Sequence, residues 1–403
     1  MEKTICLNMI VKDEADIIID TLTNIIEKMP ITYWVICDTG STDTTAQLIT
    51  DFFKEKDISG ELIHEKWVDF AHNRTKALEH AFEKTDFVFL FDADDRIVGD
   101  IVLPKLEKGN GYHMQFGWAV QWKRMPLLDN HIKWYYEGVM HELITTKEQY
   151  TPVIIEGNYH IATNVVVSAR NKKGSDKYYD DAIVLTTAYE KKDHLHPRYA
   201  FYAGECFRFS GKENWEKSIE WYKKATSDKN WVQEKYWSCY QIGKMYNELG
   251  EKEKAWYWLF KSYEYDNTRQ EAFFELIAEC RVNNNFETGY ALYKMLKPCY
   301  NKDRHTKLFI INHIYEHSLF SEMLIILFYL NKFEEGIVLL KKLFSAEKPL
   351  ETYIKITNQN LIFFISTIKK DDWEFYAKFQ LYSKKFNVPD ELTKKIDEIF
   401  VHN

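Results

Sequence analysis

The first hundred residues alternate short apolar runs with longer, amphipathic stretches. TICLNMIV, TYWVICD, GELIHEK and DFVFLFD read as strands; EADIIIDTLTNIIEK, TDTTAQLITDFFKEK and FAHNRTKALEHAFEK read as helices. That alternation predicts βαβ units on a largely parallel, Rossmann-like open sheet. Thr39-Gly40-Ser41 makes the turn after the second strand, with Ser41 or Thr42 the expected N-cap of the next helix. From Tyr112 to about Ile161 the chain becomes strand-rich and aromatic, as in YHMQFGWAVQWKR and IKWYYEGV.

From about Asp180 onward the chain reads as helices in pairs. YQIGKMYNELGEKEKAWYWLFKSY sets Ile242, Gly243 and Tyr246 on one helix, then Ala255 and Leu259 on the next. A small residue where two helices cross, large ones beside it and an Ala twelve positions later resemble a tetratricopeptide repeat. AFYAGECFRFSGKENWEKSIEWYKKA repeats the pattern through Gly204, Phe207, Ser218, Tyr222 and Ala225. FFELIAECRVNNNFETGYALYKML is a weaker copy around Ala278 and Ala291. The glycines lie 39 positions apart and Ala278 lies 35 further on, against a unit of about 34, so the repeats have drifted. Four segments are therefore expected: an α/β domain at 1–170, a charged linker at 171–180, tetratricopeptide-like repeats at 181–300 and a C-terminal helical extension at 301–403.

Composition narrows the partners. With 403 residues, 45% hydrophobic and 28% charged, the chain can bury the cores of two or three domains. A net charge of −8 argues against nucleic acid as the main partner, because phosphate binding calls for a basic face. No uncharged apolar run reaches the ~18 residues needed to cross a bilayer, and the stretch from Leu319 to Leu330 reads as a buried helix. The opening MEKTICLNMIVKDEAD meets Asp13 and Glu14 too early for a signal peptide. Cys6, Cys37, Cys206, Cys239, Cys280 and Cys299 contain no CxxC pair and read as reduced thiols, which makes a cytoplasmic location the expectation.

Carboxylates gather where strands end. The apolar run from Phe87 to Phe91 stops at Asp92, Asp94 and Asp95. Charges so close raise each other's pKa, and desolvation adds to the cost, so a divalent cation is the expected partner. The first strand ends at Lys12-Asp13-Glu14 and the second at Asp38. Ligands of open parallel sheets bind at the carboxyl ends of strands, which brings these acidic sites to one rim. Two carboxylates with a nucleotide's phosphates suit Mg²⁺ or Mn²⁺, which neutralises a departing diphosphate. Asp38 is placed to accept from a base or a ribose hydroxyl.

LNMIVKDEADII, VICDTGSTDTT, FAHNRTKAL and FLFDADD, in that order and spacing, resemble the family 2 glycosyltransferases of GT-A fold. The likeness is nearer to the branch with a GxxHE segment after the sheet, here Gly138-Val139-Met140-His141-Glu142, followed by helical repeats. That branch includes bacterial lipopolysaccharide-core glucosyltransferases and peptide S-glycosyltransferases, with similar proteins in giant viruses. The resemblance covers roughly residues 4–165 well and the repeats loosely. It implies that residues 1–170 form a GT-A nucleotide-sugar-binding catalytic domain. It further implies that Asp38 reads the nucleobase, that Lys12 and Glu14 border the base, and that Asp92 and Asp94 make the ribose and metal contacts. Asp94 would be the more direct metal ligand. Asn73 and Arg74 would approach the sugar nucleotide, Arg74 as a fixed cation facing the diphosphate.

His160 is similar to the late histidine that completes many GT-A metal sites, and imidazole suits Mn²⁺. Inverting transfer, also implied, needs a base for the acceptor's proton. Glu142 is the first candidate, with His141 as an alternative base or metal ligand; the bland alternative is that both cap a helix HELITTKEQ. Trp122, Arg124 and Trp134 would shape an acceptor pocket. The sequence departs from the family in ending its strand Asp-Ala-Asp-Asp where many relatives have Asp-Ala-Asp-Glu. It also lacks transmembrane helices and processivity motifs, so transfer of one sugar is expected and not polymerisation.

The leading expectation is thus a metal-dependent hexosyltransferase. It would move a sugar from a nucleotide-diphosphate donor, a UDP-sugar, to a polypeptide or glycan acceptor presented by the repeats, in the cytoplasm (the host's if the chain is viral). A nucleotidyltransferase would share the sheet and the aspartates, but VKDEAD lacks the glycine- and arginine-containing loop that holds a triphosphate. A repeat-based interaction protein with an inactive transferase-like domain is the third reading, against which the intact Asp38, Asp92 and Asp94 argue. The apolar surfaces of the repeats leave room for a homodimer.

Overall fold

The computed structural model describes residues 3–163, 174, 176–227, 229–296, 307–345 and 351–401. Cys299 and, of the expected linker, residues 171–173 and 175 lie outside them.

Strands and helices alternate first: β1 (Ile5–Val11), α1 (Ile18–Lys28), β2 (Tyr33–Asp38), α2 (Thr45–Glu55), β3 (Gly60–His64), α3 (Phe70–Ala81) and β4 (Phe87–Leu90). These four strands are parallel in the order β3-β2-β1-β4. Then come β5 (Arg96–Gly99), β6 (Asn110–Phe116), β7 (Val120–Asp129), β8 (Tyr135–Glu137), β9 (Leu143–Thr145), β10 (Thr151–Ile154) and β11 (Tyr159–Ala162). β7 joins β4 antiparallel and leads on through β6 and β11 to β5, while β8 and β9 form a separate hairpin. The result is a GT-A-like mixed sheet. β5 was not legible in the sequence, and β10 and β11 are separated by a turn at Gly157, which takes a positive φ.

Period-two alternation explains the layering. Ile5, Leu7, Met9 and Val11 of β1 join a core with Ile18, Leu22 and Ile25 of α1 and Ile49, Phe52 and Phe53 of α2. Cys6 faces the other way and packs with Val35, Val88, and Leu78 and Ala81 of α3. Strands buried on both faces must be apolar throughout, as TICLNMIV and FVFL are. Asn8 is buried on the α3 side, where its amide donates to the Ala77 carbonyl at 2.9 Å. Ser41 and Thr42 do not cap α2 as expected. Ser41 Oγ accepts from the Asp13 amide (3.0 Å) and the Thr42 amide donates to Asp13 Oδ1 (2.6 Å), tying the loops after β1 and β2 together.

The chain forms two compact units, Met1–Glu234 with Lys307–Ile310, and Lys235–Thr306 with Ile311–Asn403. The first unit therefore runs well past residue 170. Residues 176–180, expected in a linker, open α4 (Asp176–Glu190), followed by α5 (His196–Phe209) and α6 (Trp215–Lys224). α4 and α5 bury a cluster around Leu185, Tyr199 and Phe207, against which Val139 and Met140 of the α/β region pack. That apolar contact is what carries the boundary past the linker.

α7 (Val232–Glu248) supplies all but its first turn to the second unit, which continues with α8 (Lys252–Tyr265), α9 (Glu271–Val282) and α10 (Phe286–Met295). Further on lie α11 (Leu319–Tyr329), α12 (Phe333–Phe344), α13 (Glu351–Ile362), α14 (Trp373–Phe386) and α15 (Asp390–Val401). Close crossings fall on the expected glycines. A Cβ on Gly204 would stand 2.7 Å from the Tyr222 ring, and one on Gly243 2.7 Å from Leu259. The third crossing differs: Ala278 is half-buried and Ala291 exposed, while Gly289 closes on Cys280 and Ile326. The buried stripe of α9 runs through Phe273, Leu276, Ile277 and Cys280, and one helical position of 100° turns Ala278 off it. Among the described residues no helix is long and apolar enough to cross a membrane.

Candidate active site

Parallel register aligns the strand ends. Val11 pairs with Asp38, and Asp38 pairs with His64, so the loops after β1, β2 and β3 leave from one edge. Asp38 is 3% exposed. Its Oδ1 accepts from the amides of Gly40 (3.1 Å) and Ser41 (2.8 Å), in a turn where Gly40 takes φ +104°. Its Oδ2 lies 3.4 Å from His64 Nδ1. Lys12 is exposed at the same edge and Glu14 is half-buried, with its amide donating to Thr45 Oγ1 (2.8 Å) and its carbonyl starting α1.

Past β4 the chain turns through Asp92-Ala93-Asp94-Asp95, pinned to α1 by Thr21 Oγ1, which donates to the Ala93 carbonyl at 2.6 Å. Asn24 holds the next step by exchanging two hydrogen bonds with the Ile97 backbone. Asp92 and Asp94 are half-buried, whereas Asp95 is buried. The cation at Asp92 is a guanidinium: Arg74 Nη2 lies 2.6 Å from Asp92 Oδ1, and Arg124 Nη1 lies 3.7 Å from Oδ2. Burial opposes the Asp92 charge, but the two arginines outweigh it and hold the carboxyl below its ordinary range.

Arg74 also reaches the HE segment, with its Nε 2.7 Å from Glu142 Oε1. The guanidinium thus bridges two carboxylates over the face of the Tyr136 ring, 5.7 Å from its centroid. Burial works against its charge, and Asp92 and Glu142 more than restore it, raising its pKa further. Burial pushes the Tyr136 phenol up as well.

The bridge depends on an unusual backbone. Gly138 has φ +106° and His141, which carries a Cβ, has φ +51°. A left-handed non-glycine residue costs roughly 1–2 kcal/mol. That kink sends the His141 ring onto Tyr202, with centroids 3.9 Å apart and planes 12° from parallel, while Glu142 turns toward Arg74. HELITTKEQ is not a helix, because Leu143–Thr145 is strand β9. Capping therefore does not explain the pair.

Other expected residues stand elsewhere. Asn73 is fully buried (0%); its Oδ1 accepts from the Val68 amide (3.0 Å) and its Nδ2 donates to the Lys66 carbonyl (3.1 Å). It ties down the loop before α3. Asp92, Asp94 and His160 are not brought together as a trio: among the described residues no three His, Cys, Asp or Glu side chains converge for a cation. On β11, Tyr159 and Ile161 face the core, so His160 projects from the opposite side, 5.4 Å from Trp118. Burial holds its imidazole below the usual value. Trp134 is core, with Nε1 bonded to the Asp129 carbonyl, and Trp122 stacks on Phe116. His64 and Tyr136 escaped sequence reading. His64 was within reach of it, since it ends β3 as Asp38 ends β2.

Sheet order and acidic edge are those of a GT-A-like domain. Residues 6–108 match the model of glycosyl transferase family 2, so the chain carries a family 2 domain and is a glycosyltransferase. Among solved structures, residues 1–349 of Staphylococcus aureus TarS align at 10% identity over 66% of this chain and 93% of that one, with a TM-score of 0.30. The same fragment in complex with UDP-GlcNAc gives 9%, 65%, 91% and 0.28. The mannosyltransferase PcManGT from Pyrobaculum calidifontis, in complex with GDP-Man and Mn²⁺, gives 13%, 64%, 85% and 0.33. No curated protein matches the chain.

Proposed function

We propose that the chain transfers a single sugar, with inversion, from a nucleotide-diphosphate donor, a UDP-sugar, to a polypeptide or glycan acceptor. The observation that carries this is the Arg74 bridge, which joins Asp92 on the donor edge to Glu142 of the HE segment. Asp38 accepts from the base, with His64 beside it and Lys12 and Glu14 at the border. Arg74 and Arg124 supply fixed positive charge where the diphosphate would lie. Glu142 takes the proton of the attacking acceptor hydroxyl or thiol, and Arg74 holds its carboxylate in line. His141 turns its ring away onto Tyr202, which favours Glu142 as the base.

A divalent cation fits this edge in a limited sense. Asp94, half-buried, offers oxygen to Mg²⁺ or Mn²⁺, ions that take one or two carboxylates and complete their shell with phosphates and water. Asp92, already engaged by two arginines, would support it from behind. When bound there, the ion supplies charge neutralisation at the leaving diphosphate.

The paired helices of the second unit offer a surface for a polypeptide acceptor. The test is a thermal-shift panel of UDP, GDP, CDP and their common sugars with and without Mn²⁺, on the wild type and Asp94→Ala. A shift that needs both nucleotide and metal, and is lost in Asp94→Ala, supports the reading and identifies the base. No shift with any nucleotide rejects it.

A further inference from the structure

The helices after the sheet do more than extend the chain, because the first of them are built onto the HE segment. Four contacts reach residues 137–141 from the start of α5 and the turn before it. His194 Nε2 lies 3.0 Å from Glu137 Oε2. Val139 and Met140 pack against the apolar cluster that contains Tyr199. Arg198 Nε donates to the His141 carbonyl at 3.2 Å, and the Tyr202 ring carries the His141 imidazole. Arg198 and Tyr202 are one helical turn apart and joined to each other: Arg198 Nη2 donates to the Tyr202 hydroxyl at 3.1 Å, and the guanidinium lies 4.7 Å from the ring centroid. Arg198 is anchored from behind by Glu234, itself held by Asn230.

A strained residue persists only where its surroundings over-determine it. His141 is such a residue. Both its carbonyl and its ring are held by α5, and its left-handed turn is what separates the direction of its own side chain from that of Glu142. A Cβ on Gly138 would sit 3.4 Å from Leu195 and 3.7 Å from the Tyr199 hydroxyl, so α5 packs against both left-handed positions of the segment.

We infer that Arg198 and Tyr202 are positioning residues for sugar transfer. Through His141 they hold the left-handed turn that aims Glu142 at Arg74, which makes α5 a working part of the catalytic unit. This rests on the proposed role of Glu142. Neither residue touches the donor edge at Asp38, so their loss should slow turnover and leave donor binding alone.

The experiment uses the full chain, comparing wild type with Tyr202→Leu, Tyr202→Phe and Arg198→Met. Hydrogen–deuterium exchange follows residues 136–145, with residues 33–42 as an internal reference. Release of UDP from UDP-glucose, with water as the acceptor, gives kcat and KM. Tyr202→Leu should speed exchange over 136–145 about tenfold and leave 33–42 unchanged, with kcat at least tenfold lower and KM unmoved. Tyr202→Phe keeps the ring and should restore both. Arg198→Met takes the donor from the His141 carbonyl and should act in the same direction, which keeps the test intact if Tyr202→Leu does not fold. Unchanged exchange over 136–145 in the folded variants overturns the inference, as does faster exchange with kcat unmoved. A wild type that neither binds nucleotide nor releases UDP removes the transferase reading, while the exchange comparison still decides whether α5 holds the segment.

Discussion

Removing the Arg74 guanidinium tests whether it is the counter-ion that allows Asp92 and Glu142 to share one enclosed edge. The two carboxylates bind different nitrogens of one planar group, at 2.6 and 2.7 Å. Roughly 7 Å therefore separates their charges, and at an effective dielectric constant of 20 their repulsion is about 2 kcal/mol once the cation is gone. Their side chains are 27% and 13% exposed, so water relieves only part of this. Loss of the charge-assisted hydrogen bond adds about 1 kcal/mol net, which gives about 3 kcal/mol for Arg74→Met at pH 7. In a unit of this size that corresponds to a midpoint roughly 6–12 °C lower by calorimetry. The sign with pH is fixed. In the wild type Asp92 is held low, so its contribution is present above the unfolded carboxyl pKa and is lost as pH falls through the folded one. In Arg74→Met, acid protonates one carboxylate and relieves the repulsion, so the deficit shrinks from pH 7 toward pH 4. Arg74→Met with Asp92→Asn should recover most of the loss at pH 7. A deficit that does not change with pH, or a double variant no better than the single, would refute the shared-counter-ion argument.

Asn73→Ala should cost about 1 kcal/mol in urea melts, since it removes the side-chain bonds that tie the Val68 amide and the Lys66 carbonyl to α3; an unchanged midpoint would refute a loop-holding role for Asn73. Asp86 is lowered to about 2 by hydrogen bonds from Lys3 and Thr4, so its contribution is complete above the unfolded carboxyl pKa and is lost as pH falls through about 2. After discounting for its exposure, Asp86→Asn should lose about 1 kcal/mol at pH 7 and only a small part of that at pH 2, read from urea melts at both values. Gly243→Ala places a methyl 2.7 Å from Leu259, and should lower the second unit's stability by about 1–2 kcal/mol despite alanine's better helix propensity.

What the sequence displays is what repeats along it. Strands β1 to β4 and their helices were readable because burial on both faces demands continuous apolar runs, and Asp38, Asp92 and Asp94 stood out as charges ending such runs. Gly204 and Gly243 were readable for a related reason, because a close helix crossing leaves room for nothing larger. The short strands β5 and β9 carry too few residues for a period; β5 is paired by β11 far along the chain, and β9 by the neighbouring β8. HELITTKEQ has strong helix formers, yet Leu143–Thr145 is drawn into a hairpin with Tyr135–Glu137.

The candidate site divides along the same line. Which carboxylates reach the edge follows from where each apolar run ends, which is local. What neutralises them does not. Asp92 next to Asp94 reads as a demand for a metal, because only Coulomb repulsion is visible in the sequence. The fold brings Arg74 from α3 and Arg124 from β7 to the same carboxylate, each from another element. Lys12 would have looked as good a cation as Arg74 on charge alone. Only the packing of α3 under β8, where the Tyr136 amide bonds Thr75 Oγ1 at 2.9 Å, puts Arg74 between Asp92 and Glu142. The electrostatic role of a residue here is a property of pairs, and pairs formed across elements are the part of the site that no run of neighbours encodes.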